Sequence, residues 1–557
     1  MSKRKHLLTV IGTVVLLFSL AVPIMQCAPA AEEGATPPPE EEGIKYGGRL
    51  NIGGLNPLTA LKMDTQIKAS NWGWLLLMLT YDTYEHYNLP PDYYSFNPRL
   101  IQSYETSEDG TVWTWHLAEG ATWHDGEPVT AEDIKFNCDY FYGNPMWRDV
   151  DNFAIECEII DESTVRVVNS QRVAASNSPG WWSWIPVVPK HIFEPYKDDI
   201  TQCPNEEAIG SGPFRLKEFE SSQYMLLEAY DDYWGGRPYV DEVLFKYYSN
   251  VDTLLMALET GEVDVLESVN IPAFVMEDLE ADPNIKTERV PGISFNAMVF
   301  NLHKETPLQD KAIRQAILYG IDRDRMIDMV YLGYGEEMDS WLYNEDLMHN
   351  PNLPQYEYDP DKANEILDGA GYIDSDGDGI RNDPATGKNL AFELITPAED
   401  VALVKLSQLI TEMLPDIGLE IDLATLDYST FESFIWAPQQ DGYEMAVRVM
   451  SPGPAPYADW IWLYARGLET GWNMAYYDNP HFNELVDKLF MAPDMETREE
   501  YSYEIQAVLS EDLPYAPLVR AQFNSAYRID KLEVWVNEVG GPVSWMNHWS
   551  ILKVHLK

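Results

Sequence analysis

Three aspartates at alternating positions form the clearest metal-binding pattern in the sequence. In the segment DSDGDGIRND, Asp374, Asp376 and Asp378 lie two residues apart, and Gly379 supplies a tight turn. Carboxylate oxygens at this spacing, followed by the backbone carbonyl of Ile380, reproduce the first seven positions of an EF-hand-type calcium loop. The pattern therefore predicts a structural calcium ion at this loop.

The end of this loop departs from the calcium pattern. Ala385 stands where a bidentate glutamate is expected, so Asn382 or Asp383 would have to complete the oxygen shell. The expected metal ligands are Asp374, Asp376, Asp378, Ile380 and Asp383. The alternative is a solvated acidic hairpin without a metal. No other cofactor is expected.

The sequence favours a protein that is not an enzyme. It contains no G-x-S-x-G or H-E-x-x-H motif, and no spaced carboxylate pair stands out among its 91 acidic residues. His124 has no nucleophile motif nearby, so we expect it to be a structural histidine. A secreted glycan hydrolase stays open as an alternative, because acidic and aromatic residues are abundant.

Tryptophans are dense enough to suggest stacking against a ligand. Flat aromatic faces suit sugar rings, whereas packing in the core is the alternative for each tryptophan taken singly. The tryptophans in question are Trp72, Trp74, Trp181, Trp182, Trp184, Trp436, Trp460 and Trp462.

The N-terminus has the pattern of an export signal. A basic start precedes an uncharged, largely apolar run from Leu7 to Met25, and Cys27 follows directly after Gln26. We expect residues 1–26 to be a signal peptide, Cys27 to be lipidated, and residues 27–44 to be a disordered tether. An uncleaved helix and a free secreted form are the alternatives. All three place the body of the protein on the outer face of the cell membrane.

Charge and length restrict the function further. The net charge is −53, with 38 basic against 91 acidic residues, which excludes a nucleic-acid partner. The chain beyond residue 44 is longer than one hydrophobic core usually organises, so two or more lobes are expected.

Beyond Cys27, the cysteines Cys138, Cys157 and Cys203 allow one disulfide, whose pairing the sequence does not define.

Short strand patterns alternate with helical ones, which predicts an α/β fold. Val240 to Tyr248 reads as a strand, Val251 to Thr260 as a helix stopped by Gly261, and Val263 to Leu266 as a strand. This order predicts a βαβ unit with a parallel pair of strands. This alternation of strands and helices has to position the candidate residues.

Seven segments in register resemble the family 5 extracellular solute-binding proteins, the peptide-binding class of ABC importers. Each segment alone is weak evidence of a relationship. The seven segments together follow the family's order, and the resemblance covers almost the whole mature chain. The segments are residues 97–136 (NPRLIQSYETSEDGTVWTWHLAEGATWHDGEPVTAEDIKF), VVPKHIF, GSGPFRL, DDYWGGRPYVDEVLFK, LETGEVDV, FNLHKETPLQDKAIRQAILYGIDRDRMI and YDPDKANEIL.

The resemblance implies a bilobal clamp of the periplasmic-binding-protein type (type II, cluster C style). Residues 45–290 plus 520–557 would form lobe I, with an extra subdomain at about 90–205, and residues 300–515 would form lobe II. Closure of the clamp would bury a solute for delivery to an ABC permease in the membrane. A monomer is expected, and a sensory role that uses the same clamp stays open.

The resemblance also locates the ligand. Peptide-binding members carry a W-x-A-D-Y-x-D-P segment whose first aspartate pairs with the ligand ammonium, but here Pro452 or Gly453 occupies that position. Either Asp459 substitutes or the ligand lacks a free amine, so peptide is the default solute and oligosaccharide the rival. The expected ligand-binding residues are Tyr457, Asp459, Trp460 and Trp436 in lobe II, with Trp72, Trp74 and Asn296 near lobe I and the crossover.

Overall fold

The computed structural model describes residues 45–55, 58, 61, 71–86, 97–143, 154–172, 186–199, 202–267, 275–436, 442–451, 460, 463–464, 468, 473–533, 543 and 549–557. Its strands are β1 (Arg49–Gly54), β2 (Glu85–His86), β3 (Asn97–Pro98), β4 (Ile101–Thr106), β5 (Val112–Leu117), β6 (Ala154–Asp161), β7 (Thr164–Asn169), β8 (Phe214–Glu220), β9 (Tyr224–Ala229), β10 (Glu242–Tyr247), β11 (Val265–Leu266), β12 (Ile285–Pro291), β13 (Phe295–Phe300), β14 (Gly335–Glu337), β15 (Ala391–Pro397), β16 (Glu420–Leu426), β17 (Met445–Met450) and β18 (Tyr515–Arg528).

The helices lie between and after these strands. They are α1 (Asn71–Thr80), α2 (Ala131–Gly143), α3 (Lys190–Phe193), α4 (Val251–Thr260), α5 (Met276–Glu280), α6 (Lys311–Tyr319), α7 (Arg323–Tyr331), α8 (Pro360–Gly369), α9 (Val401–Met413), α10 (Tyr428–Ile435), α11 (Pro480–Phe490), α12 (Met495–Asp512) and α13 (Trp549–Lys553). Short 3-10 turns cover Glu194–Tyr196, Pro307–Gln309 and Leu414–Ile417.

One long mixed sheet organises the chain. Its strands follow the order β16-β15-β17-β13-β18-β11-β1-β10-β9-β8, and β12 and β14 also pair with β18. A separate sheet, β4-β5-β7-β6, packs against α2 through β6. The separate sheet falls within the predicted subdomain at 90–205, although the exact lobe boundaries stay predictions.

The predicted βαβ unit is confirmed in its elements and corrected in its pairing. Helix α4 begins after Asn250, whose side chain accepts from the Thr253 N–H, and ends at Gly261 with φ 74°. Strands β10 and β11 are parallel, as predicted, but they do not pair with each other. Instead β1 lies between them and pairs in parallel with both. The sequence pattern cannot show this, because β1 comes from residues about 190 positions earlier.

Strand β18 joins the two halves of the long sheet. Its first residues pair with β13, as in the pair Asn296 and Val519, whereas its last residues pair with β12. The chain also passes from β12 to β13 at residues 292–294, next to the middle of β18. Two neighbouring strand segments therefore connect the halves.

The half built on β13 to β17 has a core on both faces of the sheet. All six residues of β13 are buried, and its five apolar residues alternate between two clusters. Phe295, Ala297 and Val299 pack with residues of α10, α11 and α12, whereas Met298 and Phe300 pack with residues of α6 and α9. A strand covered on both faces is largely apolar, and in β13 Asn296 is the one polar residue.

Aspartate is the usual N-cap of the helices in this half. The side chains of Asp310, Asp322, Asp359, Asp400, Asp427 and Asp494 each accept a hydrogen bond from a backbone N–H of the first turn of α6, α7, α8, α9, α10 and α12. A carboxylate there satisfies a free donor and opposes the positive end of the helix dipole. Part of the large acidic excess thus has a structural role.

Two further sequence expectations concern the cysteines and the leader. Cys138, Cys157 and Cys203 are buried, and none of them is in a disulfide, so the single disulfide that the sequence allowed is not formed in the described part of the chain. None of the helices in the described ranges combines the length and apolar content that a bilayer crossing requires. The predicted signal peptide, Cys27 and the tether lie outside the described residues.

Candidate functional site

The carboxyl ends of three parallel strands meet at one edge of the sheet. β15 pairs in parallel with β16 and with β17, so Pro397, Leu426 and Met450 end these strands on the same side. β13 is antiparallel to β17, which places its first residues, Phe295 and Asn296, at this edge as well. Ligands of α/β sheets bind outside the carboxyl ends of parallel strands, so this edge is the candidate site.

Helix α10 brings Trp436 to this edge. It begins directly after β16, where the Asp427 side chain accepts from the Thr430 N–H, and Trp436 is its C-terminal cap. The indole Nε1 donates to Glu432 Oε2 at 2.5 Å, one helical turn earlier. This hydrogen bond fixes the ring plane, and the ring is only partly buried against the core.

Arg448 of β17 lies over the Trp436 ring, with its guanidinium carbon 5.4 Å from the ring centroid. The carboxylate nearest to it among the described residues is that of Glu432, whose Oε1 is 3.8 Å from Arg448 Nη2. This distance is beyond normal hydrogen-bond length. The side chain of Arg448 is 12% exposed. Arg448 Nε donates to the Val449 carbonyl at 3.3 Å and Nη1 to the Met474 sulfur at 2.8 Å. Nη2, whose counter-ion is distant, is therefore the nitrogen placed to bind a further carboxylate.

Asn296 holds the start of β13 in place. It is buried, and its Nδ2 donates to the Tyr331 hydroxyl at 2.7 Å and to the Val519 carbonyl at 3.3 Å. Burial raises the pKa of Tyr331 above its usual value. Asn296 thereby connects β13, α7 and β18 beside the crossover, and its predicted contact with a ligand stays a prediction.

The structure describes only some of the other expected ligand-binding residues. Trp460 is fully buried in the core that contains Phe295, and its Nε1 has no hydrogen-bond partner among the described residues. Trp74 is partly buried against the core of the separate sheet. Tyr457, Asp459 and the side chain of Trp72 lie outside the described residues. Their roles in binding stay predictions.

Arg448, Glu432 and Arg520 are the charged groups at this edge that the sequence analysis did not single out. For Arg448 the sequence does carry a signal, because it is the only charged residue in the run MAVRVM. A lone cation within a buried strand needs a reason. The reason becomes visible only when the strand pairing brings Trp436 and Glu432 next to it.

The crossover beside the site is fixed by Arg520 of β18. Arg520 is 1% exposed, and its Nε donates to the Gly292 carbonyl at 2.7 Å. Its Nη atoms bind both Glu345 oxygens at 2.8 Å and Glu336 Oε1 at 2.9 Å. Burial alone would raise the pKa of Glu345, but the hydrogen bond and charge of Arg520 outweigh it and hold that pKa below its usual value.

The predicted calcium loop forms a compact acidic group. One carboxylate oxygen each from Asp374, Asp376 and Asp378 lie within 4.8 Å of one another, and all three residues are exposed. Backbone N–H groups of Gly377 and Gly379 donate to Asp374 and lower its pKa. The three oxygens are spaced closely enough to contact one cation.

The expected completion of the calcium shell is not in place. Asp383 accepts from the Ala385 N–H and the Thr386 hydroxyl, so its carboxylate closes its own turn and is not part of the acidic group. Asn382 Oδ1 accepts from Ser375. With both side chains engaged locally, water would have to supply the remaining ligands.

Comparison with known proteins extends these observations. A family model described as bacterial extracellular solute-binding proteins, family 5 (middle), matches residues 95–471. The oligopeptide-binding protein AppA of Bacillus subtilis (strain 168) is 26% identical over 435 residues, which cover 75% of this chain and 76% of AppA. The dipeptide-binding protein of Escherichia coli (strain K12) is 27% identical over 309 residues, which cover 49% of this chain and 55% of that protein.

Solved structures share the fold. AppA from Bacillus subtilis in complex with a nonapeptide superposes with a TM-score of 0.77 at 22% identity and covers 92% of this chain and 100% of its own. NikZ from Campylobacter jejuni in complex with Ni(L-His) gives 0.75 at 20% identity and covers 91% of this chain and 99% of its own. These likenesses confirm the predicted α/β bilobal fold.

The two-lobed α/β fold, with a candidate edge at the ends of its parallel strands, is the fold that these solved structures share. The family model matches more than half of the sequence. The chain belongs to the bacterial extracellular solute-binding proteins, family 5. The resemblance predicted from the seven sequence segments is therefore confirmed, and an extracytoplasmic location follows from the family.

Proposed function

We propose that this protein captures a peptide between its two lobes and delivers it to an ABC permease. Relatives named as peptide-binding proteins support the peptide class. No chemical step is part of this role, because the family consists of solute-binding proteins. The protein acts as a monomeric carrier that releases its ligand unchanged.

One observation carries the choice of ligand: the guanidinium of Arg448 beside the Trp436 ring. The only carboxylate near Arg448 in the described part of the site is Glu432, at 3.8 Å. A peptide carries a terminal carboxylate that binds such a guanidinium strongly. A neutral oligosaccharide would leave the guanidinium without this partner, although Trp436 could stack against a sugar ring. The peptide therefore fits better than the sugar.

A thermal-shift panel tests this proposal. The purified protein is melted with dialanine, trialanine and pentaalanine, with their C-terminally amidated forms, and with β-linked oligosaccharides of two to five units. A ligand that binds the folded state raises the melting temperature by mass action. We expect the free-acid peptides to raise it and the sugars to leave it unchanged. A shift with sugars alone would establish the oligosaccharide alternative instead.

The same panel separates the remaining alternatives. Ligands recovered after incubation are analysed by mass spectrometry. Shortened sugars would identify a glycan hydrolase, and intact peptides would support a carrier. A sensory receptor that uses the same clamp would bind the same peptides. A transport assay in cells with and without the permease distinguishes transport from sensing.

We also propose that Cys27 is acylated and anchors the protein to the outer face of the cell membrane. The support is the apolar run that ends directly before Cys27 in the sequence. Mass spectrometry of the N-terminal peptide tests it. A diacylglyceryl mass on Cys27 is expected, and an unmodified Met1 start would contradict it.

A structural calcium ion at Asp374, Asp376 and Asp378 is a separate proposal. The convergence of three carboxylates within 4.8 Å supports it, because a divalent cation would relieve their mutual repulsion. The carbonyl of Ile380 is the fourth expected ligand, as the sequence pattern predicts. The corresponding experiment is given in the Discussion.

A further inference from the structure

A small cavity lies between the loop that follows β14, the end of α12 and the start of β18. Its volume is about 20 Å³. Its lining is largely apolar and includes Leu463 and Leu513, but Trp341 and Ser510 line it as well. The cavity adjoins the candidate site through Trp341, whose ring centroid lies 5.5 Å from that of Phe295 at the start of β13.

Trp341 and Ser510 each carry a buried polar atom without a partner. The two residues are 4% and 5% exposed, and neither Trp341 Nε1 nor Ser510 Oγ forms a hydrogen bond in the described structure. The main chain of Ser510 is engaged, because its carbonyl accepts from the Tyr356 hydroxyl at 2.7 Å. Buried polar atoms are normally hydrogen-bonded, since an unsatisfied one costs free energy.

The neighbouring polar side chains of the lining are satisfied within the protein. Ser340 Oγ donates to Gln506 Oε1 at 2.9 Å, and Gln506 Nε2 donates to the Met348 carbonyl at 2.6 Å. The same contact brings the two unsatisfied residues together, because Trp341 follows Ser340 in the chain and Ser510 lies one turn after Gln506 on α12. Two orphan polar atoms therefore belong to neighbouring residues around one cavity.

The size of the cavity and the chemistry of its lining restrict what it can hold. One water molecule requires roughly 10–15 Å³, so the cavity has room for a single water and for no organic solute. An indole N–H can only donate, which excludes a simple cation as its partner. A hydroxyl both donates and accepts, so an occupant that accepts from Trp341 and donates to Ser510 satisfies both.

An anion would also accept from Trp341 and Ser510, but Asp339 opposes it. Asp339 lines the same cavity. Burial alone would raise the pKa of Asp339, but hydrogen bonds from His349 and Gln355 outweigh it and hold that pKa below its usual value. The carboxylate is therefore ionised and repels an anion at this distance. A neutral molecule that both donates and accepts is the occupant that fits.

We infer that one water molecule is bound in this cavity, where it accepts a hydrogen bond from Trp341 Nε1 and donates one to Ser510 Oγ. The carboxylate of Asp339 is the lining acceptor for its second hydrogen. The inference goes beyond the proposed function and does not depend on which solute is captured. The water joins α12 to the Trp341 ring, which packs perpendicular to Phe295 at the candidate edge. It is thus a structural part of the support behind that edge.

A crystal structure that resolves ordered water tests the occupancy directly. We expect one density peak of the strength of water within hydrogen-bond distance of both Trp341 Nε1 and Ser510 Oγ. No peak, or a peak that contacts only one of the two atoms, would overturn the inference. A peak with the density of a halide ion would overturn it as well.

Thermal unfolding tests the hydrogen bonds of the water. Ser510→Ala should lower the melting temperature, because the water loses a partner. If no water were bound, the same variant would remove an unsatisfied hydroxyl and would leave the melting temperature unchanged or raise it. Ser407→Ala is the matched control, since Ser407 is a buried helical serine whose Oγ donates to the Leu403 carbonyl at 2.8 Å. It measures the loss of one ordinary buried serine hydrogen bond.

A double variant tests whether one water contacts both residues. Trp341→Phe removes the N–H and keeps an aromatic ring. The melting temperature of Trp341→Phe combined with Ser510→Ala should fall by less than the sum of the two single losses, because both substitutions remove partners of the same water. Additive losses would contradict a shared water. None of these results bears on peptide capture, which is measured by ligand binding.

Discussion

Arg520 Nε donates a hydrogen bond to the carbonyl of Gly292 at 2.7 Å, and this contact ties β18 to the turn between β12 and β13. The same guanidinium lies 3.9 Å from the centroid of the Tyr343 ring, and the Tyr343 hydroxyl donates to the Ile293 carbonyl at 2.7 Å. The two segments that connect the halves of the sheet are thus held by one buried cation and one tyrosine. In a two-lobed protein, a hinge that absorbs closure has to lie in such connecting segments.

Replacing Arg520 should destabilise the protein severely. Arg520→Met removes the donor to Glu345, Glu336 and the Gly292 carbonyl. Because the two carboxylates are 33% and 39% exposed, water compensates part of the loss, and the unfolding free energy should fall by about 3 kcal/mol, the lower end for a broken buried pair. Arg520→Lys keeps the charge but not the fork that binds Glu345, so its loss should be smaller. Urea unfolding of the unliganded variants gives both values.

Arg325 provides the matched control for this experiment. Its ion pair with Glu412 is exposed, with side-chain exposures of 44% and 61%. Arg325→Met should change the unfolding free energy by no more than about 1 kcal/mol, the usual range for surface ion pairs. Equal effects of Arg520→Met and Arg325→Met would refute the structural role given to Arg520.

Arg448 should select for the carboxylate of the ligand. Arg448→Ala is expected to weaken binding of trialanine at least tenfold, because the charged hydrogen bonds are lost, and to leave trialanine amide almost unaffected. Titration calorimetry with both peptides measures the difference. A uniform loss for both peptides would assign Arg448 to the support of Trp436 instead of to the carboxylate.

Calcium should stabilise the loop that contains Asp374, Asp376 and Asp378. Adding 1 mM calcium to protein treated with a chelator should raise the melting temperature of the wild type, since a cation that binds only the folded state stabilises it. The variant Asp376→Asn should show a much smaller rise. A rise of the same size in both proteins would place calcium elsewhere, and no rise in the wild type would refute the site.

Asp82 should make the protein less stable as the pH increases. Burial raises its pKa to about 6 from 3.8, and Arg99, Trp234 and Tyr233 offset this only in part. The folded state therefore binds the proton more tightly than the unfolded state, and this contribution to stability is lost between about pH 4 and pH 6. Urea unfolding measures this loss. Across this interval, the unfolding free energy of Asp82→Asn should increase relative to that of the wild type by on the order of 3 kcal/mol. A constant difference would contradict the shift.

His124 should have the opposite effect. Its Nε2 donates to the Gly212 carbonyl at 3.0 Å and its Nδ1 accepts from the Gly210 N–H, so the neutral ring is the bonded form. Burial lowers its pKa to about 4 from 6.5. The unfolded state binds the proton more tightly, so stability should rise between about pH 4 and pH 6.5, and His124→Gln should lose this rise. Urea unfolding of both proteins at three pH values checks it.

Local features of the fold could be predicted from the sequence because their causes are local. Helix α4 follows from an apolar period bounded by Asn250 and Gly261, and β10 lies within its predicted run, Val240 to Tyr248. The structural role of His124 is confirmed by its two hydrogen bonds. In each case, nearby residues determine the outcome.

Other features depend on contacts between distant parts of the chain. The insertion of β1 between β10 and β11 requires pairing over about 190 residues, which no periodicity reports. The partners of Arg448 become neighbours only when β17 and α10 are assembled. That Trp341 and Ser510 line one cavity is likewise a tertiary property, since nothing in the sequence around either residue pairs them.

Capture of an unaltered peptide is the central claim, and titration calorimetry coupled to mass spectrometry tests it most directly. Trialanine is titrated into the wild-type protein, the complex is denatured, and the released ligand is weighed. The account predicts one binding site per chain and recovery of intact trialanine. Absence of binding across the alanine peptides, or recovery of cleaved products, would contradict it.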